Sequence, residues 1–362
     1  MSNLIIEVCK IEKIIFLENA NKLEMVQIKG WNCLVGKTQY KVGDLVVFVP
    51  PDSIVPQNLI EKYGLTYLKN NGRIGTIKLR GYISQGLILN LPEGKWEEGD
   101  DVANVLNIVK YEPPEELPSV YGICNKIKKM YINSNFHKYT DIENIKNHPN
   151  VFEDGESVYI SEKMHGTSFR AGWIKNEANT LWKKIKNIFG FLPSHEFIFG
   201  SRNVQLSYKN KNKYFYDSNV YAKTAEAYDL KNRLQYGEVI YGEIVGHGIQ
   251  KRYSYGYIEG VTRFYAYDIM KDDKYMNVVD FIDGCKIKGI PTVPFLYIGP
   301  YSKQIVDTFT KGCSILDTIG TSIREGCVVK PLEEKINPYI GRLCLKSINS
   351  EYLLLKNNSE FH

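Results

Sequence analysis

The stretch Tyr159-Ile160-Ser161-Glu162-Lys163-Met164-His165-Gly166-Thr167-Ser168-Phe169-Arg170 decides how the rest of the chain is read. A strand-like run ends in a Gly-Thr turn, which places Lys163 at a strand terminus where Gly166 lets a ligand approach the backbone. A free lysine has a pKa of about 10.4, so a nucleophilic lysine needs neighbouring cations or a metal to be neutral near pH 7. Those cations would also bind phosphate. Arg202, Lys330, Arg342 and Lys346 each stand at or near the end of a strand-like run, and Glu243 and Glu325 could orient a sugar or a hydrated metal. Taken alone, Lys163 is more simply a solvated surface lysine.

Upstream of this stretch the chain changes texture twice. Residues 1 to about 110 alternate short apolar runs, such as Leu23–Lys29, Trp31–Val35, Leu45–Pro50 and Gly86–Leu91, with glycine and proline turns. That spacing predicts an all-β module of the small sandwich or barrel type. Residues 111–135 contain Glu112-Pro-Pro-Glu-Glu-Leu-Pro118, which cannot continue a helix or a central strand and reads as a linker. From 136 to 362 strands mix with a few helices. Ser218–Leu234 carries a capping serine and apolar residues at helical spacing. Strand-like runs at Val239–Val245, Arg263–Ile269, Gly326–Lys330 and Leu343–Ser347 lack regular helical crossovers, so an α+β domain of antiparallel sheets is expected.

Composition removes other classes. The 362 residues are 43% hydrophobic and 24% charged, close to an ordinary globular chain, and are ample for two domains. No run approaches the roughly 18 apolar residues of a membrane span, and the opening nine residues lack a basic flank, so a soluble, intracellular or cytoplasmic protein without a membrane partner is expected. Seven dispersed cysteines with no Cys-x-x-Cys, and six dispersed histidines, argue against a disulfide framework or a structural zinc. The net charge of +5 permits a polyanionic partner without demanding one. Leu181-Trp-Lys-Lys-Ile-Lys-Asn-Ile-Phe189 is a basic amphipathic stretch that reads as a solvated helix face or as a contact to an RNA backbone.

Glu162-Lys163-Met164-His165-Gly166-Thr167 resembles motif I of the covalent nucleotidyltransferases, and its histidine and threonine make it most similar to ATP-dependent RNA ligases. Lys138-Tyr-Thr-Asp-Ile-Glu-Asn144 is similar to the lead-in segment of the nick-sealing branch. Gly200-Ser201-Arg202 resembles motif Ia, Tyr241-Gly242-Glu243 motif III, Phe264-Tyr-Ala-Tyr-Asp-Ile269 motif IIIa, and Glu325-Gly-Cys-Val-Val-Lys-Pro331 motif IV, all in family order. The front module, with Gly81–Leu89, looks like the OB-like N-terminal domain of one branch of RNA ligases. The resemblance thus implies an OB-like β-barrel over 1–110, a linker over 111–135 and a nucleotidyltransferase domain over 136–362. OB-like barrels often bind nucleic acid, though many are structural modules.

The activity that the resemblance implies is joining of RNA 3′-hydroxyl and 5′-phosphate ends, with a nicked RNA duplex as partner and no obligate protein partner. Lys163 would attack the α-phosphate of ATP to form a lysyl-adenylate. Phe264 would stack on adenine, Arg202 and Glu243 would hold ribose hydroxyls, and Glu162 would lie beside the base. Glu325 would bind, through water, the Mg2+ or Mn2+ cofactor. Motif V departs from the family, because Leu343-Cys344-Leu345-Lys346 offers one lysine where two are common. Strand alternation puts Arg342, Cys344 and Lys346 on one face. Lys346 is then the phosphate contact beside Lys163, with Arg342 or Lys330 as the other candidates. His165, where related enzymes may have aspartate, reads as an RNA contact, a contact to the metal's water shell, or a turn-stabilising residue. DNA ligases and capping enzymes share the chemistry but usually carry an OB domain after the catalytic one, whereas this chain ends a few residues beyond Lys346. A catalytically silent RNA-binding protein is the reading from a different class.

Overall fold

The computed structural model describes residues 5–18, 20–65, 67–68, 72–111, 133–177, 181–206, 219–250, 253, 255–317, 320 and 322–355. They cluster into two compact units. One draws on the N-terminal segment, Glu143–Phe152 and the segment from Ile348; the other draws on the segment up to Ile142 and Glu153–Ser347. The linker motif Glu112–Pro118 and the capping Ser218 lie outside the described residues.

The main strands of the first unit are β1 (Glu7–Lys10), β2 (Lys13–Ile15), β3 (Leu23–Ile28), β4 (Trp31–Gly36), β5 (Leu45–Val49), β6 (Thr76–Leu79), β7 (Tyr82–Gln85) and β8 (Leu87–Leu89). They form antiparallel sheets of order β1-β5-β8 and β2-β3-β4, with β6 and β7 as a hairpin. Lys29 and Gly30 join β3 to β4 with φ of 48° and 77°, the double left-handed geometry whose twist suits a two-residue hairpin. Along β4, Trp31, Cys33 and Val35 point inward and alternate with more exposed residues. Strand β5 is buried on both faces: Val46 and Phe48 pack with Trp31 and Cys33, while Val47 and Val49 pack with Ile6, Val8 and Leu89. This is the strand-rich module expected from the turn spacing, but it is not all-β: short helices at Gln57–Lys62 and Ala103–Leu106 belong to it, the first because Leu59 packs into the core. Residues 143–152 join it, with Lys146 Nζ 4.8 Å from the Trp31 ring centroid and 3.2 Å from Gln85 Oε1.

The second unit contains two antiparallel sheets. Its elements are β9 (Ser157–Glu162), β10 (Thr167–Lys175), α1 (Leu181–Ile188), β11 (His195–Gly200), β12 (Gln205–Leu206), α2 (Val220–Ala227), β13 (Glu238–Gly246), β14 (Thr262–Lys271), β15 (Lys274–Tyr275), α3 (Val278–Ile287), β16 (Phe295–Pro300), α4 (Lys303–Thr310), β17 (Gly326–Pro331) and β18 (Leu345–Ile348). One sheet places β18, β17, β9 and β16 side by side; the other runs β12-β11-β10-β13-β14-β15. β9 belongs to the first sheet and β10 to the second, so residues 163–166 are the crossover between them. The expected helix over 218–234 is broken. It forms α2, capped by the Asn219 side chain accepting from the Ala222 N–H, and stops at Tyr228, after which Asp229 turns left-handed at φ 48°. The basic stretch 181–189 does form a helix over Leu181–Ile188, and Ile188 is 80% exposed. No helix among the described residues is long and apolar enough to cross a membrane.

The two faces of the larger sheet have different jobs. Phe169, Ala171, Ile240, Ile244, Phe264, Ala266 and Ile269 form a fully buried face under α2 and α3. The opposite face carries polar residues, since Ser168 pairs with Glu243 and Arg170 with Tyr241 across β10 and β13. Gly242 is where the Phe264 ring lies closest to the backbone: a Cβ there would meet that ring at 2.2 Å and the Tyr265 carbonyl at 2.4 Å. Gly284, in contrast, sits in α3 facing open space. Gly242→Ala is therefore expected to cost about 2 kcal/mol or more through overpacking, whereas Gly284→Ala should be neutral or stabilise by about 0.5–1 kcal/mol. Urea unfolding of the two variants checks the contrast, and equal effects would contradict this packing.

Candidate active site

Lys163 leaves β9 at the crossover, with its N–H bonded to the Gly326 carbonyl at the start of β17. This backbone bond sets Lys163 beside Glu325. Its Nζ donates to Glu325 Oε1 at 2.5 Å, with side-chain exposures of only 9% and 0%. His165 Nδ1 lies 3.8 Å from the other oxygen of Glu325. Gly166 brings the crossover against β13, because a Cβ there would meet the Ile244 carbonyl at 2.2 Å and the Glu243 side chain at 2.9 Å. Only glycine permits that approach, and the result is a second carboxylate facing the lysine. Burial pushes the Glu243 carboxyl up to about 8; Lys163 and Arg202 pull it down, and Glu325 pushes it further up.

Arg202 pairs with Asp141 of the lead-in segment, both partly exposed. The turn that carries Arg202 is held from below by Arg170. That buried guanidinium donates to the Ser201 carbonyl at 3.0 Å and to the Phe136 carbonyl at 2.6 Å. Lys330 and Arg342 meet on Asp268, at 2.9 and 2.7 Å from its Oδ2, and Tyr139 donates to the same oxygen at 2.9 Å. Burial alone would raise the Asp268 carboxyl, but Lys330 and Arg342 outweigh it and hold it below the ordinary range. Arg342 also grips Glu334 and stacks 3.5 Å from the Tyr275 ring centroid.

Lys163, Glu325, Glu243 and Arg202 are thus brought to one site, while other expected residues are placed elsewhere. Glu162 points to the opposite side of β9 from Lys163, where it accepts from the Ile315 N–H at 3.0 Å and lies 3.7 Å from Arg324. Burial raises its carboxyl, offset by Ser314, Ile315 and Arg324. Phe264 is not on the lysine's side of the sheet: it is fully buried among Phe169 and Tyr228. An aromatic group on the polar face near Glu243 is Tyr267, whose hydroxyl is 3.4 Å from Ser168 Oγ and whose burial-raised phenol also feels Glu243 and Arg202. The β-bulge opposite Tyr241 and Gly242 leaves Tyr267 as the extra residue and pairs Asp268 with Tyr241. The charged ends of Lys330 and Arg342 meet Asp268, not the Lys163–Glu325 pair. Lys346 is half-buried on β18, on the opposite side of that strand from Ser347, which bonds Thr310 of α4. Sequence reading missed Asp268 and Tyr267, although both stand inside the quoted motif IIIa segment.

Among the described residues no group of three or more His, Cys, Asp or Glu side chains could hold a metal directly. Two carboxylates beside a lysine instead fit a divalent ion that keeps part of its water shell.

A lysine at a crossover between two antiparallel sheets, faced by two glutamates and an arginine, defines a nucleotidyltransferase-type site. Residues 156–348, more than half of the chain, match the RNA ligase family model, and the chain belongs to that family. Residues 5–91 match an OB-fold domain model, so the front module is an OB fold. Among solved structures, the chain is similar to the Naegleria gruberi RNA ligase. A lysine-to-methionine mutant of that enzyme with AMP and manganese aligns with TM-score 0.70 and 22% identity, over 97% of this chain and 98% of that one. Its complex with pyrophosphate aligns with TM-score 0.70 and 23% identity over the same shares. A lysine-to-alanine mutant with ATP and manganese gives 0.69 and 23%, again over 97% and 98%. A comparison with curated proteins finds no match.

The Glu243 environment predicts a pH effect. Its folded value of about 8 exceeds its ordinary 4.5, so in that window the folded chain keeps a proton that the unfolded chain has lost, and stability falls as pH rises through it. Glu243→Gln should flatten the decline in Tm between about pH 5 and pH 8. A variant with the wild-type slope would mean that Glu243 titrates normally.

Proposed function

We propose that this protein is an ATP-dependent RNA ligase that joins a 3′-hydroxyl to a 5′-phosphate, with a nicked RNA duplex as its substrate. The observation that carries this reading is the buried Lys163–Glu325 pair at the crossover, inside the region that matches the RNA ligase family. Lys163 Nζ attacks the α-phosphorus of ATP, a phosphorus–nitrogen bond forms and pyrophosphate leaves. The adenylyl group then passes to the RNA 5′-phosphate, which regenerates the lysine. Attack of the 3′-hydroxyl on that activated phosphate forms the phosphodiester and expels AMP.

Glu325 orients the lysine and would hold a hydrated Mg2+ or Mn2+. When bound, such an ion would neutralise phosphate charge. Glu243 and Arg202 are proposed to hold ribose hydroxyls, and the Tyr267 ring to offer a flat surface for a base. Lys346 is the lysine on β18 proposed to contact phosphate. Lys330 and Arg342, tied to Asp268, support the site by latching β14 to β17 and to the segment before β18. The OB fold is proposed as a contact for RNA.

The test is incubation with α-labelled ATP and Mg2+ or Mn2+, then denaturing electrophoresis, with a parallel assay on a nicked RNA duplex. Label on wild type, none on Lys163→Ala, and sealing of the nick by wild type alone are expected. Absence of label with either metal, after pyrophosphate has stripped any bound AMP and GTP has been tried, would favour an RNA-binding protein without ligase chemistry.

A further inference from the structure

Strands β13 and β14 pair as far as Gly246 and Thr262, a spacing that a turn of two to five residues closes. Residues 247–261 join them instead, a connection much longer than closure requires. Its described side chains reach the crossover that carries Lys163. Gln250 Nε2 donates to the Gly166 carbonyl at 2.6 Å, and the Tyr255 hydroxyl accepts the His165 N–H at 2.5 Å. Tyr253, 4.8 Å from Tyr255 and edge-on to the His165 ring at 5.2 Å, donates to the Ile323 carbonyl, two residues before Glu325. The connection therefore fastens both halves of the Lys163–Glu325 pair by backbone atoms close to each.

Tyr255 is the key member on two independent grounds. It is 2% exposed, so its ring and hydroxyl are committed to the interior. Its φ is 54°, in the left-handed region, which bulky residues rarely occupy unless surrounding contacts hold them there. Glycine would adopt this backbone without strain, yet only a long side chain ending in an acceptor reaches the His165 amide. Without that acceptor the buried N–H would lose its partner.

We propose that the described residues of this connection act as a strap whose Tyr255 hydroxyl and Gln250 amide position the Lys163 turn for attack on the nucleotide. Tyr255 is a positioning residue that acts through the backbone of His165, and this inference rests on the ligase reading of Lys163. Tyr255→Phe keeps the ring and removes the acceptor. Its lysine adenylylation at saturating ATP should fall at least about tenfold, since small misplacements of a nucleophile are costly, with the half-saturating ATP concentration nearly unchanged. Joining of a strand that already carries a 5′-adenylate, which bypasses lysine attack, should stay within about threefold of wild type. Amide exchange over residues 163–167 should quicken about tenfold, while residues 157–162 keep their protection. Gln250→Ala, on the neighbouring peptide, should shift adenylylation and exchange in the same directions. Unchanged adenylylation, an equal fall in adenylylation and joining, or unchanged exchange over 163–167 would overturn the proposal. If wild type takes no label, the ligase reading fails, and the exchange measurement alone decides whether the strap holds this turn.

Discussion

The buried contact between Lys163 and Glu325 is the constraint from which the second unit is best understood. Removing two charges from water is costly, and a buried pair often contributes little net stability. Apolar residues could fill the same space. The chain nevertheless brings the end of one sheet against the start of a strand in that sheet, and places the pair where the chain crosses to the second sheet. Gly166 then lets that crossover lie directly on β13, which brings Glu243 within reach. A buried ion pair assembled from distant segments at a crossover fits a chemical role.

A second buried charge cluster does the structural work. Asp268 receives Lys330, Arg342 and Tyr139 on one oxygen, joining β14 to β17, to the segment before β18 and to the lead-in segment. Its carboxyl is held ionised by those cations despite burial. Taking away one member of such a cluster leaves uncompensated charge, a loss of about 3–5 kcal/mol. The division between a reactive pair and a latching cluster explains why cations that look alike in the sequence have different surroundings.

The lysine turn, Arg202, Glu243 and Glu325 could be picked out of the sequence because their short segments, each weak alone, follow one another in a specific order. Turn spacing also revealed the front module, as the Lys29-Gly30 hairpin illustrates. Other features depend on geometry that spacing does not encode. The bulge opposite Tyr241 and Gly242 shifts the phase of β14, so Phe264 and Ala266 face the core before it and Ile269 after it, while Asp268 pairs with Tyr241 on the polar side. Simple alternation cannot anticipate an extra residue in one strand. Glu162 follows the alternation rule and points away from its neighbour Lys163, a consequence of β9 being a strand up to that residue. Tyr255 and Gln250 escaped notice because their contacts to 165 and 166 span more than eighty residues. Residues 143–152 join the first unit through contacts such as Lys146 with Trp31, which no composition shift announces.

The ligase reading requires that Lys163, and no other lysine, becomes covalently linked to AMP. Peptide mapping by mass spectrometry after incubation of the 362-residue chain with ATP and a divalent metal locates the adduct. The account predicts an AMP adduct confined to the peptide that contains Lys163 and reversed by added pyrophosphate. An adduct on Lys330, Lys346 or any other lysine, or none in a protein that nevertheless seals RNA, would contradict it.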